Sequence, residues 1–184
     1  MKKIAIILAN GFEEIEAVTP IDILRRGGVE VIIAGIRDIN ITGSHGIRIE
    51  CDTKINQMNV ADFDGVVIPG GLPGATNISE SEEAGEFIKS MYQDKKLVAA
   101  ICASPSLVLS PLNILDGKKS TGYPGFENKF SNFVEIKTDN VVIDGNVITS
   151  KGPGTAADFS FAVLEYLEGK DKAESVARSM LFIE

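Results

Sequence analysis

Leu97-Val98-Ala99-Ala100-Ile101-Cys102-Ala103-Ser104-Pro105 is the stretch on which the reading of this chain turns. Five uncharged apolar residues predict a strand buried on both faces, as strands of a parallel sheet are. The run stops at a cysteine, small residues follow, and Pro105 suits the first turn of a helix. A strand, a nucleophile and a helix in that order lift the side chain to the top of a sheet. The turn also aims backbone N–H groups and the positive end of a helix at the sulfur. Both effects predict a thiol pKa below its free value of about 8.5. A cysteine can also simply fill space behind a strand, so the local pattern leaves a structural role open.

Outward from this stretch, short apolar runs alternate with amphipathic segments. Residues 4–9, 29–34 and 66–69 read as further buried strands, and 47–50 as a strand with alternating polarity. Residues 13–26 predict a helix ending at Gly27-Gly28, and 81–93 a helix capped by Ser81 with acids in its first turn. Residues 141–143 and 147–150 flank Asp144-Gly145, a hairpin signal, and helices follow over 154–168 and 170–180. The pattern predicts a flavodoxin-like three-layer α/β/α sandwich with a mostly parallel central sheet. No repeat, low-complexity tract or linker interrupts residues 1–184, so one domain is expected.

The composition is 44% hydrophobic and 24% charged, that of an ordinary globular protein. A net charge of −8 argues against nucleic acid as a partner. No apolar run is long enough to cross a bilayer, and residues 4–9 are too short for a signal peptide. Two distant cysteines, Cys51 and Cys102, do not form a disulfide framework, so a cytoplasmic location is expected. With His45 the only histidine, the chain offers neither zinc-ligand spacing nor the Cys–His pair of thiol hydrolases. His45 lies in an upstream loop and could serve Cys102 as a base only if that loop folds over the sheet top. Cys51 sits between Glu50 and Asp52, which disfavours thiolate and points to a structural role.

Ligands of open parallel sheets bind beyond the carboxyl ends of the strands. Three loops should meet there, at residues 10–16, 69–74 and 100–105. Gly70 and Gly71 allow close backbone approach, and their amides could join that of Ala103 in stabilising an oxyanion. Glu13 and Glu14 read as capping, solvated acids at a helix start. Glu16 lies between Ile15 and Ala17-Val18. Burial there would favour its protonated form, which can donate a hydrogen bond to a thiolate.

Four ordered segments resemble the ThiJ/PfpI superfamily (class I glutamine amidotransferase-like). These are Gly11-Phe12-Glu13-Glu14-Ile15-Glu16, Pro69-Gly70-Gly71, Ala99-Ala100-Ile101-Cys102-Ala103-Ser104-Pro105 and Thr149-Ser150-Lys151-Gly152-Pro153-Gly154. The branch most similar is that of the parkinsonism-linked protein deglycase and its bacterial relatives. The resemblance implies a homodimer, a reactive and oxidisable Cys102, and a protonated Glu16 bonded to it. It further implies an anion pocket at Gly71 and Ala103, with Lys151-Gly152-Pro153 approaching from a neighbouring subunit. No cofactor is implied. The implied activities are conversion of small α-oxoaldehydes such as methylglyoxal to hydroxy acids, repair of glycated proteins, and redox-responsive chaperoning. Where many members read Thr-His-Pro near the thiol, this chain has Thr121-Gly122-Tyr123-Pro124. A phenol at Tyr123 donates hydrogen bonds but is a poor base near neutral pH. The peptidase branch carries a histidine directly after its cysteine; Ala103 occupies that place. An amidotransferase needs a histidine downstream, and none exists.

Overall fold

Alternation within the first strand sets up the layers. In β1 (Lys3–Leu8), Ile4, Ile6 and Leu8 point into one apolar cluster, while Ala5 and Ile7 enter the cluster on the opposite face. Both faces are therefore covered, and the strand carries no polar residue beyond Lys3. The computed structural model describes residues 1–184. The chain continues through α1 (Glu14–Arg26), β2 (Glu30–Gly35), β3 (Asn40–Thr42), β4 (Arg48–Glu50), β5 (Thr53–Lys54) and β6 (Gly65–Ile68). Then come α2 (Gly74–Ser79), α3 (Glu82–Gln93), β7 (Leu97–Ile101), β8 (Lys119–Ser120) and β9 (Glu135–Ile136). The hairpin β10 (Val141–Asp144) and β11 (Val147–Ser150) leads into α4 (Ala156–Glu168) and α5 (Lys170–Ser179).

The main sheet runs β10-β11-β7-β6-β1-β2-β5, parallel throughout except for the edge strand β10. Buried side chains of α1, α4 and α5 pack on one face and those of α3 on the other, while α2 gives Ala75 to the first cluster and Ile78 to the second. This is the expected three-layer sandwich. No helix is long and apolar enough to cross a membrane.

The structure departs from the sequence reading in three places that bear on function. The strand expected at 47–50 lies outside the main sheet, where β4 pairs antiparallel with β3 as a separate ribbon. A short helix, α2, begins directly after the glycine loop and had no periodicity long enough to announce it. The helix after Cys102 begins as a wide turn. Ser110 N donates to Pro105 O (3.0 Å) and Ile114 N to Leu109 O (3.2 Å), five-residue rather than four-residue bonds. Such widened turns are frequent at functional sites.

Candidate active site at the Cys102 turn

Cys102 leaves β7 with φ at 65°, the left-handed region that a side chain with Cβ occupies at a cost. Its neighbours hold it there. Cys102 N donates to Ser150 O on β11 (3.0 Å), and Cys102 O accepts from Tyr123 N (2.8 Å). Next along the chain, Ser104 Oγ donates to Pro69 O (2.6 Å), tying this turn to the end of β6. The adjoining Gly70 admits no side chain. A Cβ there would lie 2.6 Å from Cys102 Cβ and 2.8 Å from Glu16 Oε2.

Glu16, in the first turn of α1, is completely buried. Its Oε2 accepts the Gly70 N–H (2.8 Å), whereas Oε1 is the one buried side-chain polar atom with no hydrogen-bond partner. Burial pushes the Glu16 carboxyl from its ordinary 4.5 up to about 7, against the pull of the Gly70 amide and the thiol. The expected protonated form is thus accessible at neutral pH.

The thiol behaves differently from the expectation. Burial, followed by the negative charge of Glu16, pushes Cys102 up to about 12. The Gly71 and Ala103 amides do act on the sulfur and pull the other way, but they are outweighed. The elbow alone therefore does not make a thiolate. Carboxyl and thiol share the gap as a coupled acid pair, with Glu16 the readier of the two to lose its proton. The Gly70 amide, expected beside an oxyanion, is instead committed to Glu16.

Over the sulfur opens a cavity of about 290 Å³, lined by Glu13, Gly71, Leu72, Cys102, Ala103, Tyr123, Phe126 and Pro153. Tyr123 and Pro153 both belong to this wall, whereas Lys151 does not reach it. Pro153 lines the pocket of its own chain. The register explains this. Ser150 pairs with Ile101 in parallel, so whatever follows β11 emerges beside whatever follows β7. Glu13 and Phe126 were not foreseen as pocket residues. Tyr123 and Phe126 pack edge to face, with ring centroids 6.0 Å apart.

Glu14 is not the solvated cap that its position suggested. It is buried, and the loop between β3 and β4 folds over it. Glu14 Oε1 accepts from His45 N (2.7 Å), and Oε2 lies 2.9 Å from His45 Nδ1. Burial tends to raise this carboxyl, yet bonds from His45 and neighbouring amides win and hold it at about 2. The same bond to Glu14, with the charge of Glu13, raises the pKa of the exposed His45. His45 therefore serves Glu14 and lies outside the wall around Cys102. Glu13, Glu14 and His45 bring ligand-type atoms within 4.8 Å of one another, the one such convergence in the chain, and their mutual bonds account for it. Cys51 is buried, and burial with the charges of Asp52 and Asp38 pushes it up to about 12, in keeping with a structural thiol.

Residues 2–166 match the sequence profile of the DJ-1/PfpI family. The chain belongs to that family. The DJ-1 homolog A of Arabidopsis thaliana is 38% identical over 98% of this chain, which spans 46% of that longer protein. The dj-1beta protein of Drosophila melanogaster is 39% identical, with 98% and 97% of the two chains covered. The glutathione-independent glyoxalase DJR-1.2 of Caenorhabditis elegans is 35% identical over 91% of this chain and 89% of its own. Among solved structures, oxidized DJ-1 of Toxoplasma gondii superposes with a TM-score of 0.94 at 34% identity, covering 98% of each chain. The DJ-1/PfpI family thus includes a glyoxalase-type member, and this chain shares the fold of the Toxoplasma DJ-1 along nearly its whole length.

Proposed function

We propose that this protein is a cofactor-independent, cysteine-dependent enzyme that converts small α-oxoaldehydes to hydroxy acids, with Cys102 as nucleophile and Glu16 as proton carrier. One observation carries the reading: a fully buried carboxyl with a free oxygen faces a thiol at the floor of an open pocket. With a single, remote histidine, Glu16 takes the part of the base. Its carboxylate accepts the thiol proton as sulfur bonds to the aldehyde carbon and passes it to the former aldehyde oxygen, giving a hemithioacetal and freeing the carboxylate again. A pKa of about 7 lets the same group donate and accept near neutral pH. It then carries the C1 proton to C2 through an enediolate, whose charge the Gly71 and Ala103 amides stabilise. C1 is thereby oxidised to a thioester while C2 is reduced to an alcohol. Water cleaves the thioester, releasing the hydroxy acid and restoring the thiol. No outside oxidant or reductant is needed. By the same reading the protein is a cytoplasmic homodimer, and deglycation of protein adducts is the same chemistry on a larger substrate.

Lactate formation from methylglyoxal in amine-free buffer tests this. Wild-type protein should form lactate and Cys102→Ala protein none above the uncatalysed rate; equal formation by both would sink the proposal. A second reading, a redox-responsive stress protein, draws support from the unpartnered Glu16 Oε1, which in protonated form can donate to an oxygen of a sulfinate. If wild type makes no lactate, and mild peroxide adds two oxygens to Cys102 but none to Cys51, that second reading replaces the first.

A further inference from the structure

Ser104 stands at the start of the helix that follows Cys102, where a serine ordinarily caps the first free amides. It makes no such bond. Its hydroxyl is fully buried and turned across to the glycine loop, donating to Pro69 O at 2.6 Å, the one hydrogen bond that this carbonyl accepts. The Pro69 carbonyl and the Gly70 N–H belong to a single peptide group. On its other side that N–H donates to Glu16 Oε2 at 2.8 Å, and it is the strongest influence drawing the Glu16 carboxyl back down against burial. Two bonds through one peptide thus connect the turn that carries the sulfur to the carboxyl that faces it. Gly70 leaves the plane of this peptide free to turn, and a half turn would present the carbonyl to Glu16 instead of the N–H. The Ser104 bond removes that freedom. By polarising the carbonyl it also makes the N–H a better donor to a carboxylate.

We infer that Ser104 is a positioning residue for the Cys102–Glu16 pair: its hydroxyl fixes the Pro69–Gly70 peptide with the N–H toward the carboxyl, and so holds Glu16 ready to take the thiol proton. This rests on the partnership of Glu16 with Cys102 proposed above, and not on the identity of any substrate.

The rate at which iodoacetamide alkylates Cys102, followed by mass spectrometry from about pH 5 to about pH 9, tests this without requiring turnover. The sulfur displaces iodide, one C–S bond forming as one C–I bond breaks, once the thiol proton has left for Glu16 or water. In wild type the rate should climb with pH until Glu16 ionises at about 7 and then level off, because the carboxylate's charge opposes a thiolate beside it. Glu16→Gln should climb without that bend, which assigns it. Ser104→Ala should leave the acid limb unchanged but bend about one pH unit later, at a plateau about tenfold higher, the size expected when a hydrogen bond to a charged group is lost. Ser104→Gly, which also lacks the hydroxyl, should bend at the same raised pH. Ser106→Ala is the control. Ser106 Oγ is buried in the same turn but donates to Ala103 O at 3.1 Å, away from the 69–70 peptide, so its loss should leave the bend in place. A site that was merely loosened would alkylate faster at every pH, the acid limb included. A bend that stays at the wild-type pH in the Ser104 variants, or that moves as far in Ser106→Ala, would overturn the inference. So would a wild-type profile with no bend. A protein that makes no lactate can still pass this test, and one that makes lactate can fail it, so the two proposals stand or fall separately.

Discussion

Glu16→Gln protein should lose turnover and, above neutral pH, gain stability relative to wild type. The loss follows from its role: a positioned group that moves protons contributes roughly two to four orders of magnitude in rate. Glutamine keeps an oxygen for the Gly70 N–H but can neither take the thiol proton nor carry one between carbons. The gain follows from burial. In the unfolded chain Glu16 ionises near 4.5, whereas in the folded chain it ionises at about 7. Below about 4.5 the group is neutral in both states, and its contribution to stability is complete. As pH rises toward about 7 the folded state holds a proton that the unfolded state has released, so stability falls with pH. The interval corresponds to roughly 3 kcal/mol, an upper bound for a single site. Wild type should therefore lose up to about 3 kcal/mol of unfolding free energy between about pH 4.5 and about pH 8, over and above any loss in the variant. Urea denaturation of both proteins across that range measures the difference. A gap between them that does not change with pH would mean that Glu16 does not titrate as proposed. Activity and stability thus oppose each other at one carboxyl, as they often do where an active site retains a poorly solvated charge.

What could be read from the sequence divides along the range of the interactions involved. The α/β/α sandwich was legible because each buried strand announces itself by its own apolar run, and β1, β2, β6 and β7 all do. Cys102 was legible for the same reason: strand, nucleophile and Pro105 are contiguous. Glu16 could be singled out because it interrupts apolar neighbours on a helix. The fate of Glu14 could not, because it depends on a loop some thirty residues away closing over it through His45 N and Ile47 N. The committed Gly70 amide was hidden likewise, since its acceptor lies 54 residues back along the chain. The direction of the thiol pKa is not legible locally, because the elbow's amides are visible in the sequence whereas burial and the facing Glu16 charge are products of the assembled fold. Phe126 carried one faint signal, its spacing of three residues from Tyr123 in a polar stretch. The parallel pairing of β11 with β7 is what places Pro153 in its own chain's pocket, and strand order is not a property of any single segment.

Glu14→Gln protein should be markedly less stable than wild type at neutral pH and nearly equal to it in strong acid. Glu14 and Glu16 stand two residues apart on one helix, both buried, yet their pKa values move in opposite directions. The difference lies in their partners. Glu16 has one amide, whereas the Glu14 carboxylate gathers the His45 N–H, the His45 imidazole, the Ser44 hydroxyl at 3.2 Å and the Ile47 N–H at 3.4 Å. These donors overcome burial and hold Glu14 at about 2. A depressed carboxyl contributes stability that is fully present above its unfolded value of 4.5 and is lost as pH falls through about 2. Its size is at most roughly 3 kcal/mol, and glutamine, with one oxygen in place of two, should forfeit about 2 of that. Gly43 closes the same contact, since a Cβ there would fall 2.3 Å from Glu14 Oε1. A side chain at position 43 would therefore push the loop off the carboxyl. Denaturant midpoints for wild type and Glu14→Gln should lie well apart at about pH 7 and converge toward about pH 2. Midpoints that stay equally separated down to acid would show that the variant loses packing rather than a charge. Because the two carboxyls act on opposite sides of pH 4.5, wild type should gain stability as pH falls toward that value and lose it below. Glu16→Gln should flatten the upper limb and Glu14→Gln the lower, so each variant isolates one arm of a single curve.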